Sequence, residues 1–468
     1  MSAGRALLAA AAALLASCAA LPPAPRPVVE MPAAWKIEPP WRESQPRDGA
    51  AKGPWWQRFG DPQLDALQRQ ALANSPTLAA AGARLAQARA AVAASSASLF
   101  PQLGLGARAV RQRISANRPL SNYATSNVST VQNDFTTGLS VNYEVDLSGR
   151  LQRAVEGAGA AAEQSAADLE NTRLLLAADL ASNYFNLRAT DTELDVLSRS
   201  IALQRRALSF VGARRELGAA SGLEVAQQQA LLDNTLTQVD VLRRQRAVFE
   251  HALATLVGTP APLFAVEPAA QRWALPEVPL GVPSDVLERR PDVASAERAM
   301  AVANAQIGVA NAAFYPSITI GPSLGVESRS LASLFDAPSL VWSLGVSAAQ
   351  VLFDGGRIKA NVEGARAGHD LAAANYRRVV LTAMQEVEDG ITGLAALSRA
   401  SAQAGTAVDS ARRVLELATG RYEGGASTDL DVITAQQALL ASERQATQLQ
   451  GQSLLVSVFL IKALGGDW

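Results

Sequence analysis

The sequence predicts a mainly α chain with a membrane β part. Four strands per chain enter a barrel shared between chains, a long helical coiled-coil tube continues it, and the whole is written as two internal repeats. Three observations predict this. Alternating, strand-like runs pass into Ala-rich helix formers through glycine at two places, "VNYEVDLSGRLQRAVEGAGA" from Val141 and "VLFDGGRIKANVEGARA" from Val351. The same landmarks recur at a nearly fixed offset. The chain opens like a secreted protein, yet no later stretch holds the ~18 apolar residues of a membrane helix, so a membrane crossing must use strands.

Residues 1–17 read as a secretory signal: an early Arg5, then an apolar run from Ala6 to Ala16. That run is too short to span a bilayer, which takes about 20 residues. Leu15-Ala16-Ser17-Cys18 resembles a bacterial lipobox, which makes Cys18 the lipidated first residue of the mature chain. Ala19 stands where inner-membrane lipoproteins carry Asp, so the expected anchor is outer-membrane lipid. Residues 18–60 form a Pro-rich segment without a core of its own, either a disordered linker or a strap along the folded body.

Two repeats follow, expected over 61–280 and 281–468. Pro76 and Pro291 lie 215 positions apart, as do Pro101 and Pro316. Gly149 and Gly356 lie 207 apart, as do Gly218 and Gly425, and Gly258 and Gly465. Eight extra residues in the first copy account for the change of offset.

Each copy has the same order of elements. Pro76 and Pro291 suit the first turn of a helix, where the missing N–H costs nothing. Pro101 and Pro316 close those helices, because the residue before proline is pushed toward extended geometry. Alternating runs then predict strands near 101–115, 135–148, 316–328 and 340–353. Gly149, Gly355 and Gly356 mark the strand–helix junctions, where freedom from Cβ permits an abrupt change of backbone angle. Beyond them, Leu194, Leu197, Ile201, Leu208 and Val211 keep the spacing of a coiled-coil seam. The absence of proline from 151 to 259 and from 339 onward predicts helical hairpins with arms on the order of 40–65 residues, broken only at Gly218–Gly222 and Gly424–Ser427. Four strands cannot close a membrane barrel, which starts at about eight, so two, three or more chains must share it.

Composition excludes several functions. One cysteine forbids internal disulfides and thiolate clusters, and His251 and His369 alone make no histidine metal site, so neither metal nor cofactor is expected. The balance of 42 basic against 43 acidic residues argues against nucleic acid as a partner. "FDGGR" lacks the lysine of a phosphate-binding loop, and no His–carboxylate cluster is present, so the chain reads as no enzyme.

Four stretches, taken in order with the duplication, resemble the TolC-like outer-membrane efflux channels, in the lipoprotein branch that includes OprM- and NodT-type proteins. They are "VPSDVLERRPDVASAERAMAVANAQIGVANAAFYPSI" from Val282, "YEVDLSGRL", "LFDGGRIKANVEGARA" and the closing "LIKALGGDW". The likeness covers nearly the whole mature chain. It implies a homotrimer: a twelve-stranded barrel in the outer membrane continued by a twelve-helix tube through the periplasm. It further implies a periplasmic adaptor protein and an inner-membrane pump as partners, and the export of small molecules. A duct for protein secretion is the alternative on the same fold, and the lipobox favours efflux.

The resemblance also places a site at the hairpin tips. Arg214, Gly218, Ser221 and Leu223 line up with Arg421, Gly425, Thr428 and Leu430, and Glu224 with Asp431. Gly218, Ser221, Leu223, Gly425, Thr428 and Leu430, with Arg214, would meet the adaptor. Arg421 and Tyr422, with Asp429 or Asp431 as ionic partner, would close the periplasmic mouth. Helix-end chemistry alone accounts for the glycines, the Ser and Thr caps and the acids. Thr434 stands where several multidrug relatives carry an Asp, which leaves their carboxylate ring in doubt here.

Overall fold

The computed structural model describes residues 53–117, 130–271, 275–276 and 289–466. Cys18, the signal 1–17 and most of the Pro-rich segment lie outside the described residues. So do residues 282–288, which open the first of the stretches quoted above.

After a short 3-10 turn at Trp55–Phe59 come α1 (Pro62–Asn74), α2 (Pro76–Ala97), β1 (Gln102–Ile114), β2 (Thr130–Val145), α3 (Arg150–Glu216) and α4 (Gly222–Leu256). The second half repeats the order with α5 (Pro291–Ala312), β3 (Ser317–Ser328), β4 (Leu340–Ala349), α6 (Arg357–Glu423) and α7 (Asp429–Ala463). Pro76 and Pro291 are the first residues of their helices, as their missing N–H predicts. Hairpin arms of 67 and 35 residues replace the expected 40–65. The long arms start at once because Gly149, Gly355 and Gly356 take positive φ (72°, 68° and 92°), and the short arms stop at Gly258 and Gly465, also positive. Strand β2 begins earlier than expected and β4 ends sooner, each set by its cross-strand partners.

Contacts divide the chain into two compact units, each drawing on both halves of the sequence. One gathers Leu85–Gln164 and Ala296–Tyr376; the other gathers Ser165–Ser295 and Arg377–Trp468 with the described residues 53–84.

The first unit holds one antiparallel sheet in the order β1-β2-β3-β4. Its register sorts the faces. Leu105 pairs with Leu139, Leu139 with Leu324 and Leu324 with Trp342, while Ile320 pairs with Tyr143 and with Val346. The other face carries Ser140, Ser323 and Ser343 in one row, with Ser323 and Ser343 hydrogen-bonded at 2.8 Å. One apolar and one polar face is the pattern of a barrel wall between lipid and water. On the polar face Gly138 and Gly325 pack backbone to backbone: a Cβ on Gly325 would come within 2.5 Å of the Thr137 carbonyl.

The second unit centres on Tyr184, Phe185, Leu180 and Leu187 of α3, packed against Leu64, Leu253, Ile461 and the Trp55–Phe59 turn. A charged network runs through this core. Asp61 caps α1 by accepting from Gln63 and Leu64 N–H and receives the Tyr184 hydroxyl at 2.6 Å. Burial, followed by that bond to Asp61, pushes the Tyr184 hydroxyl well above its ordinary range. Arg188 donates to Tyr184, to Asp191 and to the Glu267 carbonyl, and Arg246 to Asp191 and the Val266 carbonyl. Two buried or half-buried arginines thereby fix the chain after α4 onto the helices. The glycines that end the short arms pack alike in both halves: Gly258 abuts the Asn74 carbonyl and Gly465 the Arg289 carbonyl, each two residues before the proline that starts a helix.

Candidate functional site

The junction glycines expected from sequence are joined by acids that the sequence reading passed over. Asp146 accepts from the Gln152 N–H at 2.8 Å. Asp354 accepts from the Gly356 and Ile358 N–H groups at 2.9 and 2.8 Å. These carboxylates cap α3 and α6 where each leaves its strand, and the bond from Ile358 N–H leads the causes that hold Asp354 below the usual carboxylate range. Arg150 clamps back onto Glu144 through both carboxylate oxygens at 3.1 and 2.6 Å. An Asp just before the glycine ("DLSGR", "DGGR") was the available signal.

Both tips end their long helix in the same way. Gly218 and Gly425 share a φ of 74°. Around them the Ala219 N–H reaches the Arg214 carbonyl at 2.7 Å and the Ala426 N–H the Arg421 carbonyl at 2.8 Å, the paired bonds of a Schellman stop. Arg214 and Arg421 each fold onto the turn they precede, reaching the carbonyls of Ala219 and Ala426 at 3.4 Å. Ser221 caps α4, its hydroxyl accepting from Glu224 N–H at 3.3 Å. Thr428 occupies the same position on α7 without a side-chain cap, so the expectation of two hydroxyl caps holds only for the first tip. There the Asp431 N–H meets the Thr428 carbonyl, and Asp429 and Asp431 supply the negative charge that favours a helix start.

The tips differ in what they bury. Tyr422 is enclosed with Val211 and Val432, its ring 5.9 Å from Phe210 in an edge-to-face contact. The Arg214 guanidinium stands 4.9 Å from the Tyr422 ring centroid. Asp429 is 2% exposed, and among the described residues neither of its carboxylate oxygens has a hydrogen-bond partner. Burial, then the charge of Glu224, raises the Asp429 carboxyl above its ordinary range, with Arg214 opposing. Asp431 and Thr434 are exposed, and the Thr434 hydroxyl bonds the Leu430 carbonyl at 2.7 Å. Leu217, Leu223 and Leu430 stand exposed on the tips. A cavity of about 870 Å³ opens beside Phe210, Leu415, Tyr422, Asp429 and Gln436.

Sequence reasoning brought Arg421, Tyr422, Asp429 and Asp431 together. In the chain Tyr422 and Asp429 share one enclosure with Arg214 and Phe210, while Arg421 turns to its own loop. It also missed a buried glutamine layer close by: the Gln228 side chain reaches the Gln204 carbonyl and the Gln436 side chain. Gln204, at a seam position three residues after Ile201, was the legible sign.

Residues 67–259 and 282–466 each match the family described as outer membrane efflux protein, so both halves of the chain carry the family pattern. The chain belongs to the outer membrane efflux protein family. The pyoverdine export outer membrane protein OpmQ of Pseudomonas aeruginosa is 32% identical over 458 residues, covering 97% of this chain and 95% of that one. The toluene efflux pump outer membrane protein TtgF of Pseudomonas putida is 31% identical over 463 residues, at 97% and 95% coverage. Among solved structures, the outer-membrane channel OprN superposes with a TM-score of 0.85 at 27% identity, covering 95% of this chain and 99% of that one. This efflux protein is therefore an outer-membrane channel, mainly helical with a membrane β part, and serves as the outer-membrane component of an efflux pump.

Proposed function

We propose that three copies of this chain form one passive export duct, lipid-anchored through Cys18 and shut at rest by the hairpin tips. The carrying observation is the open sheet. Among the described residues β1 and β4 each have a single strand neighbour, and one face of the sheet is apolar over most of its length. Unpaired strand edges have no place in hydrocarbon, so the edges of one copy must pair with those of another. Three copies give twelve strands, within the range of membrane barrels.

The exposed leucines Leu217, Leu223 and Leu430, framed by Arg214, Gly218, Ser221, Gly425 and Thr428, form the surface for a periplasmic adaptor that links the duct to an inner-membrane pump. Arg421 and Asp431, exposed beside the enclosed Tyr422 and Asp429, are the groups available for contacts between copies at the mouth. Transport of small molecules requires no chemistry at these residues, and the duct is no enzyme. Conductance in planar bilayers tests the reading. The wild type is expected to conduct little and an Arg421→Ala/Tyr422→Ala protein substantially more; unchanged conductance moves the constriction elsewhere.

A further inference from the structure

The cavity beside the hairpin tips has one charged group in its wall that its surroundings leave unsatisfied. It measures about 870 Å³ and opens between α3, α6 and α7. Leu203 and Phe210 of α3, Leu415 of α6 and Leu439 of α7 give it apolar walls, and Phe210 is 42% exposed. Most of the charged groups around it are matched: Arg199 with Asp195, Arg412 with Glu443 at 3.2 Å, and Glu416 with Arg413 at 3.4 Å. Arg206 and Glu423, of opposite sign, are exposed. Asp429 differs from all of these. It lines the same cavity while buried, and among the described residues neither of its carboxylate oxygens receives a hydrogen bond.

A buried carboxylate without donors has lost its hydration and gained no bond in exchange. Asp429 is the first residue of α7, yet the N–H groups of that turn do not reach its oxygens. The Arg214 guanidinium attracts it, but that group stands over the Tyr422 ring and reaches the Ala219 carbonyl, and Glu224 acts in the opposite sense. The group that fits is a donor carrying positive charge, because charge-assisted N–H···O bonds are the strong ones and pairing offsets the burial of a charge. A metal ion fits poorly, since no cluster of three or more His, Cys, Asp or Glu able to hold one exists among the described residues. The apolar walls suit a flat body, which the Phe210 ring can meet edge to face or offset-stacked. The volume is that of a site for a drug-sized ligand, roughly 300–1,000 Å³, mostly apolar with a few placed polar groups.

We propose that this cavity binds an organic cation with a hydrogen-bonding head, a primary ammonium or guanidinium carried on an aromatic body. The head donates to Asp429, and the body lies along Phe210, Leu203 and Leu415. Such an occupant ties together the three helices that line the cavity. These residues belong to one chain and to one of its compact units, so the site does not depend on how many chains share the barrel.

Hydrogen-exchange mass spectrometry of the full-length protein in amphipol provides the test, each protein being compared with itself without probe. The probes are 2-(1-naphthyl)ethylammonium, its N,N,N-trimethyl analogue and the neutral 2-(1-naphthyl)ethanol. The primary ammonium is expected to slow exchange in the wild type within 203–211 and 415–432, which carry the cavity walls. Half-maximal protection should need about tenfold less of it than in Asp429→Asn. Phe210→Ala should also weaken binding, and Asp233→Asn, which removes one exposed acid from α4, should bind as the wild type does. If Asp429→Asn does not assemble, Phe210→Ala and the three probes on the wild type carry the comparison, with the ammonium bound most tightly. Equal binding by wild type and Asp429→Asn overturns the role of the carboxylate. Naphthylethanol bound as tightly as the ammonium overturns the assignment to a cation, and an equally tight trimethyl analogue overturns the hydrogen-bonding head. Protection that is absent, or that falls outside the cavity walls, overturns the site.

Discussion

The guanidinium of Arg214, near the end of α3, stands 4.9 Å from the ring centroid of Tyr422, near the end of α6. The same guanidinium also faces Phe210 at 5.9 Å and reaches the Ala219 carbonyl. One arginine therefore joins the two hairpin tips of a chain, in a cation–π contact worth about 0.5–1 kcal/mol at a site of this exposure. Arg214→Ala should loosen the second tip while sparing the barrel. Limited proteolysis near Gly424 should then accelerate, and the heat resistance of the assembled protein should stay unchanged.

Asp429 makes the tip pH-sensitive. Its folded pKa lies above the unfolded value, chiefly through burial and secondly through Glu224. The folded tip then holds the proton more tightly than the unfolded chain does, so this contribution favours folding below the unfolded pKa and is lost as pH rises through the folded one. Amides of residues 418–432 should exchange hydrogen more slowly in mild acid than at neutral pH, after correction for the intrinsic rate. Asp429→Asn should remove most of that difference.

The strand register predicts opposite outcomes on adjacent residues. Leu105 and Val346 lie on the apolar face, and Gly106 and Ser347 on the polar one. Arginine at Leu105 or Val346 should cost up to about 2–4 kcal/mol according to depth, whereas Ser347→Arg should insert normally. Urea unfolding of protein refolded into vesicles measures the difference. Equal tolerance at all positions would reject the assigned faces.

Gly138 and Gly325 leave no room for a side chain. A Cβ on Gly138 would lie 2.8 Å from the Leu324 carbonyl oxygen, and one on Gly325 would lie 2.9 Å from the Gly138 Cα. The obstacle is backbone in both cases, so it cannot swing aside. Gly325→Ala should destabilise the sheet by about 1–3 kcal/mol, the usual cost of overpacking, and lower the yield of heat-resistant assembly. Gly106→Ala, with open space at its Cβ position, should be tolerated.

Local signals in the sequence carried most of the architecture. Pro76 and Pro291 marked helix starts, Gly218 and Gly425 marked helix stops, and alternation marked the strands, because each of these depends on backbone rules acting over a few residues. Leu197, Ile201 and Val211 were readable as a buried seam for the same reason. Arg214 over Tyr422 was not readable, since 208 residues separate them and only the packing of two hairpins brings them together. Asp429 was visible as a charge in the first turn of a helix, but its burial follows from neighbours on other helices. The core network of Asp61, Tyr184, Arg188 and Asp191 is likewise a product of tertiary contact. The sheet's faces needed the register, which alternation alone leaves open by one residue.

The central claim is that the four strands of one chain close a barrel only with those of two others. The mass of the detergent-extracted protein, measured by native mass spectrometry after removal of lipid and detergent, tests it most directly. A single species of three mature chains is predicted, falling to monomer only when the barrel unfolds. A stable, membrane-inserted species of one, two or four chains would contradict the account.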